Sequence, residues 1–216
     1  MTTAREEILG RIRAALPDVP AGERPQDVTV IRDYLRHSDR GREEIIERFA
    51  DRVRDYHAEV RRVAARDVAG AVTAACAELG LRRIVCAPGL PAEWRPARTE
   101  VVDDDDALSA HRLDAIDGAV TGCAVAIAET GTLVLDGQPR SGRRLITLVP
   151  DHHICLVAAD QIVDLVPEAV TAVGPAVRER RVPITLVSGP SASSDIELSR
   201  VEGFHGPRHL FVVIAG

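Results

Sequence analysis

Three short polar segments carry the residues whose types and spacing could do chemistry. The string Ala128-Glu129-Thr130-Gly131-Thr132 sets a carboxylate and two hydroxyls around a glycine, between apolar stretches. Facing a ligand, Glu129 could act as a base or nucleophile while Thr130 and Thr132 hold polar atoms. The same string serves equally well as a hairpin turn in which Gly131 supplies a positive φ. The run Val187-Ser188-Gly189-Pro190-Ser191-Ala192-Ser193-Ser194-Asp195-Ile196-Glu197 crowds hydroxyls behind an apolar stretch. Gly189 lets the backbone approach a ligand closely, and Ser191 to Ser194 offer hydroxyls and N–H groups to a phosphate or carboxylate. Asp195 then either caps the next turn or positions a ligand hydroxyl or cation. In Gly203-Phe204-His205-Gly206-Pro207 a histidine between glycines could serve as a general acid or base near neutral pH. The plainer reading is an incidental loop histidine.

Other polar clusters are weaker. Asp103-Asp104-Asp105-Asp106 could attract a magnesium ion, but an acidic turn opening a helix is simpler. His152 and His153 are adjacent, and neighbours on a strand point to opposite faces, so one metal does not take both. Arg143 and Arg144 could clamp an anion or be solvated; Arg144 joins the ligand-binding candidates, and no metal site is expected. Four cysteines stand at 76, 86, 123 and 155, without Cys-x-x-Cys spacing, so cluster and zinc-ribbon motifs are not encoded. They read as small buried hydrophobes, Cys123 being the least typical.

Composition removes whole mechanisms. All 27 basic residues are arginines, so neither a P-loop lysine nor a Schiff-base lysine is available. A net charge of −6 and six aromatics argue against a protein built to bind nucleic acid. The apolar runs are far shorter than the roughly 20 residues of a membrane helix. The charged start lacks the apolar core of a secretory signal, so a cytoplasmic location is expected.

The elements that must position these loops follow from periodicity. Ile8, Leu9, Ile12 and Leu16 predict a helix over 3–16 capped by Thr2 or Thr3 and stopped by Pro17. Residues 17–42 read as a linker, which divides the chain into a helical arm, 1–42, and an α/β domain, 43–216. The arm is a candidate contact for a partner or a second copy of the chain. Beyond a helix at 43–57, short apolar strands alternate with helices: strands at 59–64, 83–87, 99–102, 124–128, 133–135, 145–148, 154–157, 184–187 and 210–214, and helices at 67–79 and 166–180. That alternation predicts an α/β fold with an open, partly parallel sheet flanked by helices, and the dense centre predicts a mixed sheet or a small second one. In such folds ligands bind beyond the carboxyl ends of the strands, where the three polar segments are expected.

Taken in order, Ala128-Glu129-Thr130-Gly131-Thr132, Arg144, Leu148-Val149-Pro150 with His152-His153-Ile154, Ser188-Gly189-Pro190-Ser191 with Asp195-Ile196-Glu197, and Gly203-x-His205-Gly206-Pro207 resemble the LUD-domain family across roughly residues 45–216. The resemblance implies the fold shared by glucosamine-phosphate isomerases, ribose-phosphate isomerases and CoA transferases. Its lactate-utilisation members work with two iron–sulfur partner proteins that together oxidise L-lactate to pyruvate. The small member of that trio carries no cluster motif. Ser193 and Phe204 depart mildly from the family pattern. Carried over residue by residue, Glu129, Asp195 and His205 become catalytic candidates. Thr130, Gly131, Thr132, Arg144, Gly189, Ser191, Ser194 and Gly206 become candidates for binding a small anionic metabolite.

Three functions compete. The first is an accessory subunit of an iron–sulfur lactate-oxidising system, itself holding no cofactor, with the clusters in its partners. The second is a stand-alone isomerase- or CoA-transferase-like enzyme acting on a small anion. The third is a scaffold whose loops only fold and bind protein.

Overall fold

The computed structural model describes residues 3–20, 22–105, 107–190 and 206–216. Contacts divide the chain into two units, Met1–Tyr34 and Leu35–Gly216. Ser38 and Arg40, inside the arm expected over 1–42, bond to Glu168 and Asp164 within the larger unit. In the first unit, α1 (Ala4–Ala14) opens on a capping box: Glu6 N–H donates to Thr3 Oγ1 and Thr3 N–H to the Glu6 carboxylate. The three-residue Glu spacing behind Thr3 is what writes this start into the sequence.

The larger unit holds two sheets. Sheet A has six parallel strands in the order β1 (Glu59–Val63), β10 (His209–Ala215), β7 (His152–Ala158), β4 (Gly118–Gly122), β2 (Arg83–Cys86) and β3 (Glu100–Asp103). The central strands β7 and β10 are nearly continuous apolar runs, as strands covered on both faces must be. Their side chains alternate: Ile154, Leu156, Phe211 and Val213 enter one core, while Cys155, Val157, Leu210, Val212 and Ile214 enter the other. The first core is closed by α3 (Val68–Glu78) through Val68, Val72, Ala75 and Cys76. The second is closed by α2 (Arg42–Asp55), through Ile46, Phe49, Ala50 and Val53, together with sheet B.

Sheet B is mixed, ordered β8 (Ile162–Val163), β5 (Val125–Ile127), β6 (Thr132–Leu135) and β9 (Thr185–Val187). Ala126, Leu133 and Leu135 face sheet A; Val125, Ile127 and Val134 face α5 (Val166–Arg180), which lays Ala169 and Val173 on them. The expected α/β architecture with flanking helices is therefore present, and the dense central strands belong to a second sheet.

One expectation fails locally, and one central strand is not among those the sequence predicts. Residues 145–148 are not a strand: Arg144–Thr147 forms a 3-10 turn in which Thr147 Oγ1 donates to the Arg144 carbonyl, with Ile146 buried as a plug. Arg143, just ahead, is fixed to Asp104, so the chain must turn here to enter β7. The central strand β4, Gly118-Ala119-Val120-Thr121-Gly122, escapes a periodicity reading because two of its five residues are glycine. The short α4 (Ala110–Leu113) begins beyond the acidic run at Ser109, whose hydroxyl caps it.

Candidate functional site

The site begins with a hairpin. Residues 128–131 form the turn joining antiparallel β5 and β6, stapled to its neighbour by Ala128 N–H on the Val163 carbonyl and Glu129 N–H on the Asp164 carbonyl. Gly131 sits at φ +59°, and a Cβ there would overlap the Arg52 backbone of α2. The β6–β9 ladder then sets Thr132 beside Ser188. Thr130 Oγ1 and Thr132 Oγ1 are 2.7 Å apart, and Thr132 Oγ1 is 2.7 Å from Ser188 Oγ. Gly189, at φ +75°, turns the chain away against Tyr56, whose Cβ lies 2.5 Å from where a Cβ on the glycine would be. The three hydroxyls form a continuous hydrogen-bonded rail, with Thr132 buried at its centre.

The rail closes one end of an apolar groove of about 460 Å³ lined by Ile127 and Val134 of sheet B, Val170 and Val173 of α5, Leu186 and Tyr56. An apolar trough with neutral hydroxyls at its head suits a group that is apolar along its length and polar at its end. Tyr56 lies three residues before β1 begins, so the rail stands at the amino-terminal side of that strand. For the 128–132 turn and Ser188–Gly189 the expectation of a position beyond the carboxyl ends of the main sheet is thereby corrected: both belong to sheet B, while residues 191–205 of the other expected segments lie outside the described residues.

Glu129 is exposed, and its Oε2 accepts from Val166 N–H, the first residue of α5, at 3.4 Å. A carboxylate there stabilises the helix amino terminus. Close by, burial raises the pKa of Asp164, but hydrogen bonds from Ser38, Arg40 and Arg48 outweigh it and hold the carboxyl below its usual value. Glu168 accepts from Asp164 N–H and Leu165 N–H. Glu129 thus joins an acidic and basic cluster that fixes the start of α5.

Arg144 is exposed and not part of the rail. It lines a separate cleft of about 230 Å³ with Asp136, Arg143, Thr147 and Thr185, at the opposite end of the β6–β9 ladder. Gly206 is described, three residues before β10, with open space on the side a Cβ would occupy. The candidates Ser191, Ser194, Asp195 and His205 lie outside the described residues. Among the described residues the structure therefore unites Thr130, Gly131, Thr132 and Gly189, and adds Ser188 and Tyr56, which sequence reading does not single out. Ser188 is legible as the residue following an apolar strand; Tyr56, the residue that ends α2, carries no signal.

Two residues of the acidic run form ion pairs. Asp104 is buried against Arg143 at 2.6 Å, and Asp103 meets Arg95 at 2.8 Å. His152 stacks on His209, ring centroids 4.7 Å apart, and its Nδ1 lies 3.1 Å from the Asp117 carbonyl. His153 turns inward, with Nε2 2.8 Å from Thr121 Oγ1.

The LUD domain family model matches residues 37–215. A protein of Deinococcus radiodurans called "Lactate utilization protein C" is 45% identical over 213 residues, covering 99% of this chain and 96% of that one. A Geobacillus kaustophilus protein of the same name is 33% identical over 121 residues, about half of either chain. The crystal structure of a DUF162 family protein from Deinococcus radiodurans superposes with a TM-score of 0.72 at 42% identity, covering 82% of this chain and 99% of that one. No helix among the described residues is long and apolar enough to cross a membrane. With the fold, the family model and a full-length relative in agreement, this chain belongs to the LUD-domain family.

Proposed function

We propose that this chain acts in lactate utilisation, as the accessory component of an iron–sulfur system that oxidises L-lactate to pyruvate. The observation that carries this reading is the 45% identity to a lactate utilization protein across nearly both whole chains. Removing two electrons from lactate needs an acceptor, and the cysteines here are poorly placed to hold one. Cys76 and Cys86 lie in the core under α3, whereas Cys123 and Cys155 lie in the core on the opposite face of sheet A. Burial pushes the Cys86 thiol up to about 12 and raises Cys76; a hydrogen bond with Cys155, then burial, raises Cys123. A thiolate is what binds iron, so the three raised thiols support a division of labour in which the clusters belong to partner proteins.

In this reading the loops at 129–132, 188–197 and 203–207 meet a small anionic metabolite or a partner, with the hydroxyl rail as their fixed part. Glu129, Asp195 and His205 are the proton-handling candidates within it. The test is reconstitution. Purified chain alone, given L-lactate and an artificial electron acceptor, should turn over nothing, whereas the cluster-bearing partners should need this chain for full activity. Robust oxidation by the chain alone, or an undiminished rate from the partners without it, overturns the proposal.

A further inference from the structure

Among the described residues six arginines are half-buried: Arg48, Arg61, Arg83, Arg95, Arg140 and Arg143. Five are paired with carboxylates: Arg48 with Asp164, Arg61 with Glu78, Arg83 with Glu100, Arg95 with Asp103 and Arg143 with Asp104. Arg140 is the exception. Its guanidinium has no carboxylate partner among the described residues and rests on the face of Trp94, 5.6 Å from the ring centroid. In a chain of net charge −6, a partly desolvated cation with no acid beside it among the described residues is out of pattern. Asp136, an acid of the same loop, instead accepts from Gln138 N–H and Ser141 Oγ.

The surroundings are built. The loop after β6 crosses the carboxyl edge of sheet A and is pinned to two adjacent strands: Gly89 N–H, past the end of β2, donates to the Pro139 carbonyl, and Gly122 N–H, at the end of β4, donates to the Arg140 carbonyl, each at 2.8 Å. A Cβ on Gly122 would lie 2.8 Å from Arg140 Cγ, so the arginine stem runs across a strand end that only glycine leaves open. Next to Trp94, Arg95 Nε is buried and has no acceptor among the described residues. The carboxyl edge of a parallel sheet is where open α/β folds bind ligands, and a planar guanidinium matches a carboxylate with two parallel N–H donors.

We propose that Arg140, held on Trp94 at the carboxyl edge of β2 and β4, is an anchor for the carboxylate of a small organic acid. One guanidinium balances one negative charge, which suits a monocarboxylate better than a doubly charged phosphate. The inference is separate from the lactate pathway, because it concerns recognition of the carboxylate alone.

Trp94 is the single tryptophan of the chain, so its fluorescence reports on this place and no other. The full-length protein is titrated with sodium acetate, pyruvate and L-lactate, and with sodium chloride and phosphate at matched ionic strength. The expected result is a saturable change in Trp94 emission with the carboxylates and none with chloride. Arg140→Gln should weaken it by ~10-fold or more, the loss of a charge-assisted hydrogen bond, while unfolding at the same temperature as the parent. Arg140→Lys should retain part of the binding as a point charge. No saturable response in the folded parent, a response to phosphate alone, or equal binding by Arg140→Gln overturns the proposal. A failed lactate reconstitution with intact acetate binding leaves this site standing and removes only the pathway.

Discussion

Acid should destabilise this protein through one buried imidazole. His153 is 1% exposed in the interior of sheet A; its Nε2 meets Thr121 Oγ1 and its Nδ1 has no partner among the described residues. Protonation would place a second N–H in the core without an acceptor, so burial pulls the pKa from 6.5 down to about 4. The folded state therefore binds this proton less readily than the unfolded chain. Stability is complete above the unfolded value and falls as the pH drops through 6.5 towards 4. Each tenfold difference in proton affinity between the two states is worth about 1.4 kcal/mol, so the full loss is about 3 kcal/mol, and roughly 2 kcal/mol of it has occurred by pH 5. The buried carboxyl of Asp164, held below its usual value by hydrogen bonds that outweigh its burial, withdraws its contribution only at lower pH. The assay is urea unfolding at intervals from pH 7.5 to 5 for the parent and for His153→Gln, which cannot titrate. Whatever the variant costs at neutral pH, the parent curve should lose about 2 kcal/mol more across this range. Parallel curves would refute the reasoning.

Three further outcomes follow from the site and its supports. Thr132→Val keeps the shape but strands the Thr130 and Ser188 hydroxyls, and should cost about 1–2 kcal/mol, lowering Tm by roughly 2–8 °C in a thermal melt. Gly189→Ala forces an L side chain to φ +75° against Tyr56 and should cost about 2 kcal/mol, with loss of the groove read from Tyr56 NMR shifts. Asp164→Asn leaves Arg40 and Arg48 without their shared acid, and should lower urea stability by about 2 kcal/mol, since both arginines still reach solvent.

What the sequence makes legible depends on which physical signal dominates each stretch. Helix α5, Val166–Arg180, is bounded by Pro167 in its first turn and Pro183 beyond its end, and these punctuating residues mark both limits in the sequence. The strands Ile154–Val157 and Leu210–Ile214 announce themselves because a parallel strand buried on both faces has no polar alternation to confuse it. Gly118–Gly122 hides because close packing at the centre of the sheet demands small residues, which read as a turn. Residues 145–148 mislead because an apolar plug in a 3-10 turn has the composition of a strand.

The site divides in the same way. A glycine between hydroxyls marks the 129–132 turn, yet its partner Ser188 is fixed only by the antiparallel register of β6 and β9, a long-range fact. Placing the 128–132 turn and Ser188 at the carboxyl edge of the main sheet fails because β5, β6 and β9 form a sheet of their own. Arg140 is invisible for a different reason. Twenty-seven arginines look alike in sequence, and only the pairing of its five half-buried counterparts with carboxylates sets it apart.

The most direct test of a role in lactate utilisation is growth. A strain in which the gene for this chain is cleanly deleted should fail on L-lactate as sole carbon source, grow normally on glucose, and recover on lactate when the gene is restored. Unimpaired growth of the deletion strain on L-lactate would contradict it.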